Sequence, residues 1–268
     1  MQGDIGAVLQ AYLRYMITGL ACNMRGINME EGKRTAAVVL AAGSGKRMES
    51  STKKQYMQLL DKPVIYYALE AFQKSFVDEI ILVVSAGDRD YCRKEIVERY
   101  DLHKVRHIVE GGRERYHSVA AGLRKAEDSD FVFIHDGARP MLTLDMLERL
   151  WKEVQVSEAC VAGMPVKDTI KLADENNDIE ATPDRRRVWM VQTPQVFGYQ
   201  LIRNAYEQLL SQEQELLEKK IQITDDAMVV ERFTGHKVRL VQGSYENIKI
   251  TTPEDIRIAE AFLSGCSR

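Results

Sequence analysis

The segment LAAGSGKRM, Leu40 to Met48, sets two glycines, a lysine and an arginine within a few positions of one another, directly after the apolar run AAVV. Glycine backbones can approach a phosphate chain closely, and basic side chains beside them supply positive charge, so these residue types suit a phosphorylated ligand. The spacing is not that of a P-loop. Gly45-Lys46 is followed by Arg47 rather than Ser or Thr, and no glycine stands at the required distance upstream. It is not a dinucleotide fingerprint either, since Met48 takes the third-glycine position and no acidic residue ends the next strand at the usual distance. A second candidate is Asp136 in HDGARP, a carboxylate at the end of an apolar run. Its neighbour His135 has no second histidine at ligand spacing, which makes it a buried or capping residue rather than a metal ligand.

These residues need a frame that brings them to one edge. The runs TAAVVLAA, DEIILVVS, KVRHIVE, DFVFIHD and ACVAGMPV are short and rich in Val and Ile, as buried strands are. Between them PVIYYALEAFQK, RDYCRKEIVERY, ERYHSVAAGLRKAE and TLDMLERLWKEV space their apolar residues like helices. The alternation predicts an α/β fold, a mostly parallel Rossmann-like sheet with helices on both faces, whose ligands sit at the carboxyl ends of the strands. Asp136 falls at that edge. The rhythm breaks over about 167–196, where two short β-like pieces flank a polar turn, predicting a protruding β-hairpin arm rather than a crossover helix. It resumes with YQLIRNAYEQLLSQEQELLEKK, ITDDAMVVERF, the strand HKVRLVQG and a final helix after Pro253.

LAAGSGKRM, KKQY (Lys53 to Tyr56), GGRERYHSV (Gly111 to Val119), HDGARP, TPQVF (Thr193 to Phe197), ITDD (Ile223 to Asp226) and ENIKITTPEDI (Glu246 to Ile256) occur in this order. Together they resemble the cytidylyltransferases of isoprenoid biosynthesis, most closely the 2-C-methyl-D-erythritol 4-phosphate cytidylyltransferase family. The resemblance runs from about Thr35 to Phe262 and leaves only the N-terminal extension outside it. It implies that a sugar-alcohol phosphate attacks the α-phosphorus of CTP and pyrophosphate leaves. A phosphate monoester, with a second pKa of about 6, needs no strong general base. The demand is for fixed cations and backbone donors that stabilise charge on the transferring group.

By resemblance Arg47, Lys54 and Lys249 are the catalytic cations, with Lys46 flanking. Lys53 stands where the family often has proline, so either lysine of that pair could lie nearer the phosphates; Lys54 is favoured because it precedes Gln55. The nucleotide would be held by Ala41, Ala42, Gly43 and Gly45, by Gly111, Gly112 and Ser118 around cytosine, and by Asp136 and Gly137. Asp136 would also hold Mg2+ carried with the triphosphate, since magnesium takes most of its ligands from phosphates and water. Arg139, Thr224 and Asp225 would face the polyol phosphate. The arm would embrace a second subunit and bring it Thr169 and Arg185, with Arg186 and Arg187 as alternatives within the same run. A homodimer follows. The pair Asp168-Thr169 and the stretch TPDRRRVW favour methylerythritol phosphate over ribitol 5-phosphate as acceptor. A nucleotide-binding regulator without catalysis would be expected to lose the basic residues beside the glycines, and they are present.

Composition narrows the remaining classes. With 29% charged residues, 45% apolar residues and a formal net charge of -3, the chain has no basic excess for nucleic acid. Cys22, Cys92, Cys160 and Cys266 have no C-x-x-C spacing and suit a reducing cytoplasm. Residues 1–33 read as a poorly ordered extension, with Met29 as an alternative beginning. AVLQAYLRYMITGLAC could be taken for a secretory segment, but Arg14 interrupts it, Asp4 sits where positive charge belongs, and Gly19 occupies the place a lipoprotein signal gives to Leu. No stretch is long and clean enough to span a membrane.

Overall fold

The computed structural model describes residues 32–43 and 52–265. The chain divides into Met1–Lys33 and Arg34–Arg268. The description concerns the second unit; the extension read at 1–33 falls, but for its last two residues, outside the described residues.

Strand β1 (Thr35–Ala41) is apolar from Ala36 onward because both of its faces are covered. A short antiparallel pair, β2 (Gln58–Leu59) and β3 (Lys62–Pro63), leads into helix α1 (Val64–Lys74). There follow β4 (Glu79–Val84), α2 (Arg89–Tyr91), β5 (Val105–Glu110), α3 (Arg115–Leu123), β6 (Phe131–Asp136), α4 (Leu144–Ser157) and β7 (Ala159–Pro165). The helix predicted over RDYCRKEIVERY is real, but after α2 it is wound as a π-helix over Cys92–Glu98.

The central sheet has the order β11-β7-β10-β6-β1-β4-β5, where β10 is Trp189–Gly198 and β11 is Arg239–Gln242. Every pairing is parallel except those of β10, which runs antiparallel to both β6 and β7. The mostly parallel sheet expected from the sequence is therefore present. Its one reversed strand corrects the arm, which was read as reaching about 196. Only β8 (Leu172–Ala173) and β9 (Ile179–Ala181) form a separate hairpin, exposed throughout. Trp189–Gly198 enters the sheet because buried Val196 and Phe197 fill the core while Gln192, Thr193 and Gln195 find hydrogen-bond partners inside it.

On one face α3, α5 (Tyr199–Ser211) and α7 (Asp226–Thr234) pack over Val38, Val83, Val132 and Ile134. A short helix, α6 (Glu213–Glu218), follows α5. On the other face, α1 and α4 cover the alternate side chains, with Phe72 edge-to-face on Phe133. A satellite core of Leu59, Val64, Met141, Ile250 and Ala259 seats the last helix, α8 (Pro253–Leu263). From β1 the chain adds β4 and β5 on one side and then starts β6 on the other, so the order reverses between β1 and β6, with Leu40 opposite Asp136. A crevice opens at the carboxyl ends of strands at such a reversal.

Candidate active site

The crevice is a cavity of about 380 Å³ whose lining includes Ala41, Ala42 and Gly43 at the end of β1, Lys54 and Gln55, Gly112 to Arg115, Ser118, Asp136 and Lys249. A second cavity of about 350 Å³ shares Arg115, Asp136 and Lys249 with it and continues to Arg139, Gln192, Thr193, Thr224 and Asp225. Two ligands side by side would therefore meet at the three shared residues. Gly45 and Arg47, together with Lys46, lie outside the described residues.

The KKQY stretch forms a 3-10 turn over Lys54–Tyr56. Buried Gln55 anchors it, donating from Nε2 to the carbonyls of Ala41 at 2.6 Å and Gly43 at 3.3 Å. The two lysines have different surroundings. Lys53 Nζ points away to Asp88, 2.6 Å off, whereas Lys54 lines the cavity.

The 111–114 loop folds tightly because it must. A Cβ at Gly111 would stand 2.5 Å from Ser118 Oγ and 2.6 Å from the Ala42 Cβ, so Gly111 lets the loop press against the end of β1 rather than lining the cavity itself. Its N–H donates to Val84 O, and the Gly112 N–H donates to Ser118 Oγ at 3.2 Å. Ser118 is buried and both lines the cavity and holds the loop. Gly137 has a comparable packing role: its N–H donates to Leu40 O, and a Cβ there would come within 3.0 Å of the same oxygen.

Asp136 is the electrostatic centre. Lys249 Nζ lies 2.8 Å from its Oδ2, Arg115 Nε 3.6 Å from its Oδ1 and Arg139 Nε 3.8 Å from its Oδ2. Burial alone would raise the carboxyl pKa, but Arg115, Lys249 and Arg139 outweigh it and hold the group well below the ordinary carboxylate range. Arg115 also pairs with Asp226, so three cations face two carboxylates and the cluster keeps one positive charge. Lys249 is delivered by a segment that docks on the HDGARP loop, where Ile250 N–H donates to Ala138 O and Arg139 Nη1 donates to Asn247 O at 2.8 Å. Buried Asn247 in turn donates to Thr193 O at 2.9 Å. A lysine in a strand-like run is ordinary in sequence; here the docking of NIKI aims it.

Arg115 and the groups that hold it were not singled out from sequence. Its guanidinium forks onto Asp226, which is fully buried and also accepts from Tyr206. The signal was present: Arg115 precedes Ser118 by three residues, which puts both on one helix face. Asp225, expected to face the polyol phosphate, lines the second cavity but spends its carboxylate as the cap of α7, accepting from Met228 N–H and from Gln195 Nε2, each at 3.0 Å. Gln195 Oε1 accepts the N–H groups of Asp226 and Ala227, so the ITDD turn is fixed to β10.

Thr224 and Arg139 line the second cavity. Thr169 and Arg185 do not: both are exposed, neither lines either cavity, and Arg185 Nη1 donates to Lys167 O at 3.3 Å. Of the neighbouring arginines, Arg186 pairs with Asp184 at 2.6 Å.

His135 is buried between Thr193 Oγ1 (3.1 Å from Nδ1) and Arg139 O (3.2 Å from Nε2). The Thr193 hydroxyl accepts from Asp136 N–H and can donate to Nδ1, which leaves Nε2–H to donate to the Arg139 carbonyl. Burial pushes its pKa down to about 4, so the ring is neutral and structural. Among the described residues no cluster of three or more His, Cys, Asp or Glu could hold a metal alone. Asp136, ionised and lining both cavities, fits the single carboxylate that a phosphate-borne Mg2+ requires. Cys92 and Cys160 are buried and free. No helix among the described residues is long and apolar enough to cross a membrane.

The profile of the 2-C-methyl-D-erythritol 4-phosphate cytidylyltransferase family matches residues 35–265. A protein of that name from Lachnospira eligens is 51% identical over 230 residues, 85% of this chain and 99% of its own length. Another from Lachnoclostridium phytofermentans is 49% identical over 231 residues, 86% of this chain and 97% of its own. The crystal structure of a 4-diphosphocytidyl-2C-methyl-D-erythritol synthase from Anaerococcus prevotii is similar with a TM-score of 0.75 at 35% identity, covering 87% of this chain and 97% of that one.

Proposed function

We propose that this chain, which belongs to the 2-C-methyl-D-erythritol 4-phosphate cytidylyltransferase family, transfers the cytidylyl group of CTP to 2-C-methyl-D-erythritol 4-phosphate, releasing pyrophosphate, in the non-mevalonate isoprenoid pathway. The observation that carries the reading is the pair of cavities that meet at Asp136, Arg115 and Lys249. A nucleotide in the first cavity and a polyol phosphate in the second would bring a phosphate oxygen to the α-phosphorus beside fixed cations.

The oxygen of the monoester forms the new P–O bond. The bond from the α-phosphorus to the bridging oxygen breaks, and its electron pair leaves with pyrophosphate. Lys54 and Arg47 would neutralise the triphosphate, and Lys249 would neutralise charge on the transferring group. Ser118 and the backbone of Gly112 would read the base, with Ala41, Ala42 and Gly43 against the nucleotide. Asp136 would hold a divalent cation, and such a cation supplies neutralisation of phosphate charge when bound. Arg139 and Thr224 would orient the polyol phosphate. Thr169 and Arg185, which line neither cavity of their own chain, would serve those of a second subunit in a homodimer joined through the arm. A CTP-dependent reaction belongs where CTP is made, in the cytoplasm.

The test is incubation with magnesium, CTP and either methylerythritol 4-phosphate or ribitol 5-phosphate while pyrophosphate is followed. Release with the first acceptor alone is expected. Release with ribitol phosphate alone would reassign the acceptor, and none with either would remove the activity.

A further inference from the structure

Lys54 is presented by a turn of three residues, and a side chain so placed depends on what fixes the turn. On its inner side Gln55 ties the turn to Ala41 and Gly43. On its outer side one carboxylate oxygen, Asp88 Oδ2, accepts from both Lys53 Nζ at 2.6 Å and Tyr56 OH at 3.0 Å. Lys53 precedes the turn and Tyr56 ends it, so a single atom closes it like a clasp.

Asp88 is itself well founded. It ends a tight turn after β4, in which its N–H donates to Ser85 O, and Ser85 Oγ donates to Ala42 O at 3.1 Å. Its carbonyl accepts from Cys92 N–H as the chain enters the π-wound stretch, a winding that is frequent near functional sites. Cys92 Sγ meets the Tyr56 hydroxyl at 3.1 Å from the other side. The Lys53 and Asp88 side chains are 33% and 18% exposed, so their pair is shielded more than a surface bridge and can constrain geometry.

We propose that Asp88 is a positioning residue that acts through Lys54, clamping Lys53 and Tyr56 so that the lysine between them is aimed into the nucleotide cavity. The proposal rests on the reading that the first cavity takes CTP.

A double-mutant cycle tests it, with wild type, Asp88→Ala, Lys54→Ala and the double variant each measured for the Kd of CTP by calorimetry and for kcat/KM. Asp88→Ala should weaken both by about tenfold, the scale on which a misplaced cation is felt. In the Lys54→Ala background the same change should cost less than about twofold, because its route is already gone. Equal losses in both backgrounds would overturn the proposal, as would an unchanged Kd and kcat/KM in Asp88→Ala. Circular dichroism on all four proteins separates misaiming from unfolding. Should Asp88→Ala fail to fold, Asp88→Asn enters the cycle in its place, keeping the shape and losing the charge. A wild-type chain that binds CTP without transferring it removes the activity while the cycle in Kd still decides Asp88. One that binds no CTP overturns both.

Discussion

Arg115 grips Asp226 through two parallel hydrogen bonds of 2.7 Å, one from each terminal nitrogen, although the two residues are 111 positions apart. The fork joins α3, which follows the 111–114 loop, to α7, which borders the second cavity. Removing one partner should leave a poorly solvated charge. Asp226→Ala is expected to cost about 3 kcal/mol and to lower activity. Arg115→Met combined with Asp226→Leu should regain most of the stability and none of the activity. Chemical denaturation and turnover on the two variants check this, and a double variant that remained as unstable as Asp226→Ala would sink the idea.

His135 makes a pH prediction whose sign follows from burial. Its pKa falls from the ordinary 6.5 to about 4 in the folded chain, so between those values the unfolded chain binds the proton more readily. Stability conferred by the neutral ring is complete above pH 6.5 and is lost as pH falls toward 4. The loss should total about 3 kcal/mol, near 1.4 per pH unit. Urea midpoints across this range should show that slope in the wild type and a flatter one in His135→Asn. Equal slopes would assign the acid sensitivity elsewhere. Asp136, held below the carboxylate range, should keep its full stabilisation above its ordinary value of 3.8 and lose it only below that pH, as the carboxyl protonates on the way down through the folded pKa.

Gly111→Ala should move the 111–114 loop. The added methyl would meet Ser118 Oγ and the Ala42 side chain together, and neither is the far end of a flexible chain. Either the loop retreats or Ser118 does, and both outcomes disturb the nucleotide cavity. A rise of about tenfold or more in the KM for CTP is expected, with the KM for the polyol phosphate changed less. If both substrates are affected equally in steady-state kinetics, the loop does not act on the nucleotide alone.

The parallel part of the sheet was legible because its strands carry continuous apolar runs, which few other elements do. Asp136 was legible for a related reason, since a carboxylate ending such a run must sit at the ligand edge. Trp189–Gly198 was not, because Gln192, Thr193 and Gln195 are residues of a loop until their partners in the 244–247 segment, in the ITDD turn and at His135 are in place. Arg115 escaped notice in the same way: a helix arginine looks solvated until a buried aspartate arrives from far along the chain. Local pattern reveals what the backbone does, whereas buried polar pairs belong to the tertiary fold.

The arm carries the last prediction. Leu172 and Ile179 stand 52% and 65% exposed on the small hairpin, and Arg185 lies outside both cavities of its own chain. If the arm serves a second subunit, each site combines one chain's Lys54 with its partner's Arg185. Lys54→Ala and Arg185→Ala should then each be nearly inactive alone. When the two are mixed and allowed to exchange subunits, random pairing makes about half the dimers mixed, and two-fold symmetry gives each mixed dimer one site with both defects and one with neither. Roughly a quarter of wild-type activity should return. An arm that serves its own chain puts one defect in every site, and mixing then restores nothing. Turnover of the mixture, with exchange verified by mass spectrometry, decides between the two arrangements: activity at the average of the single variants excludes the shared site.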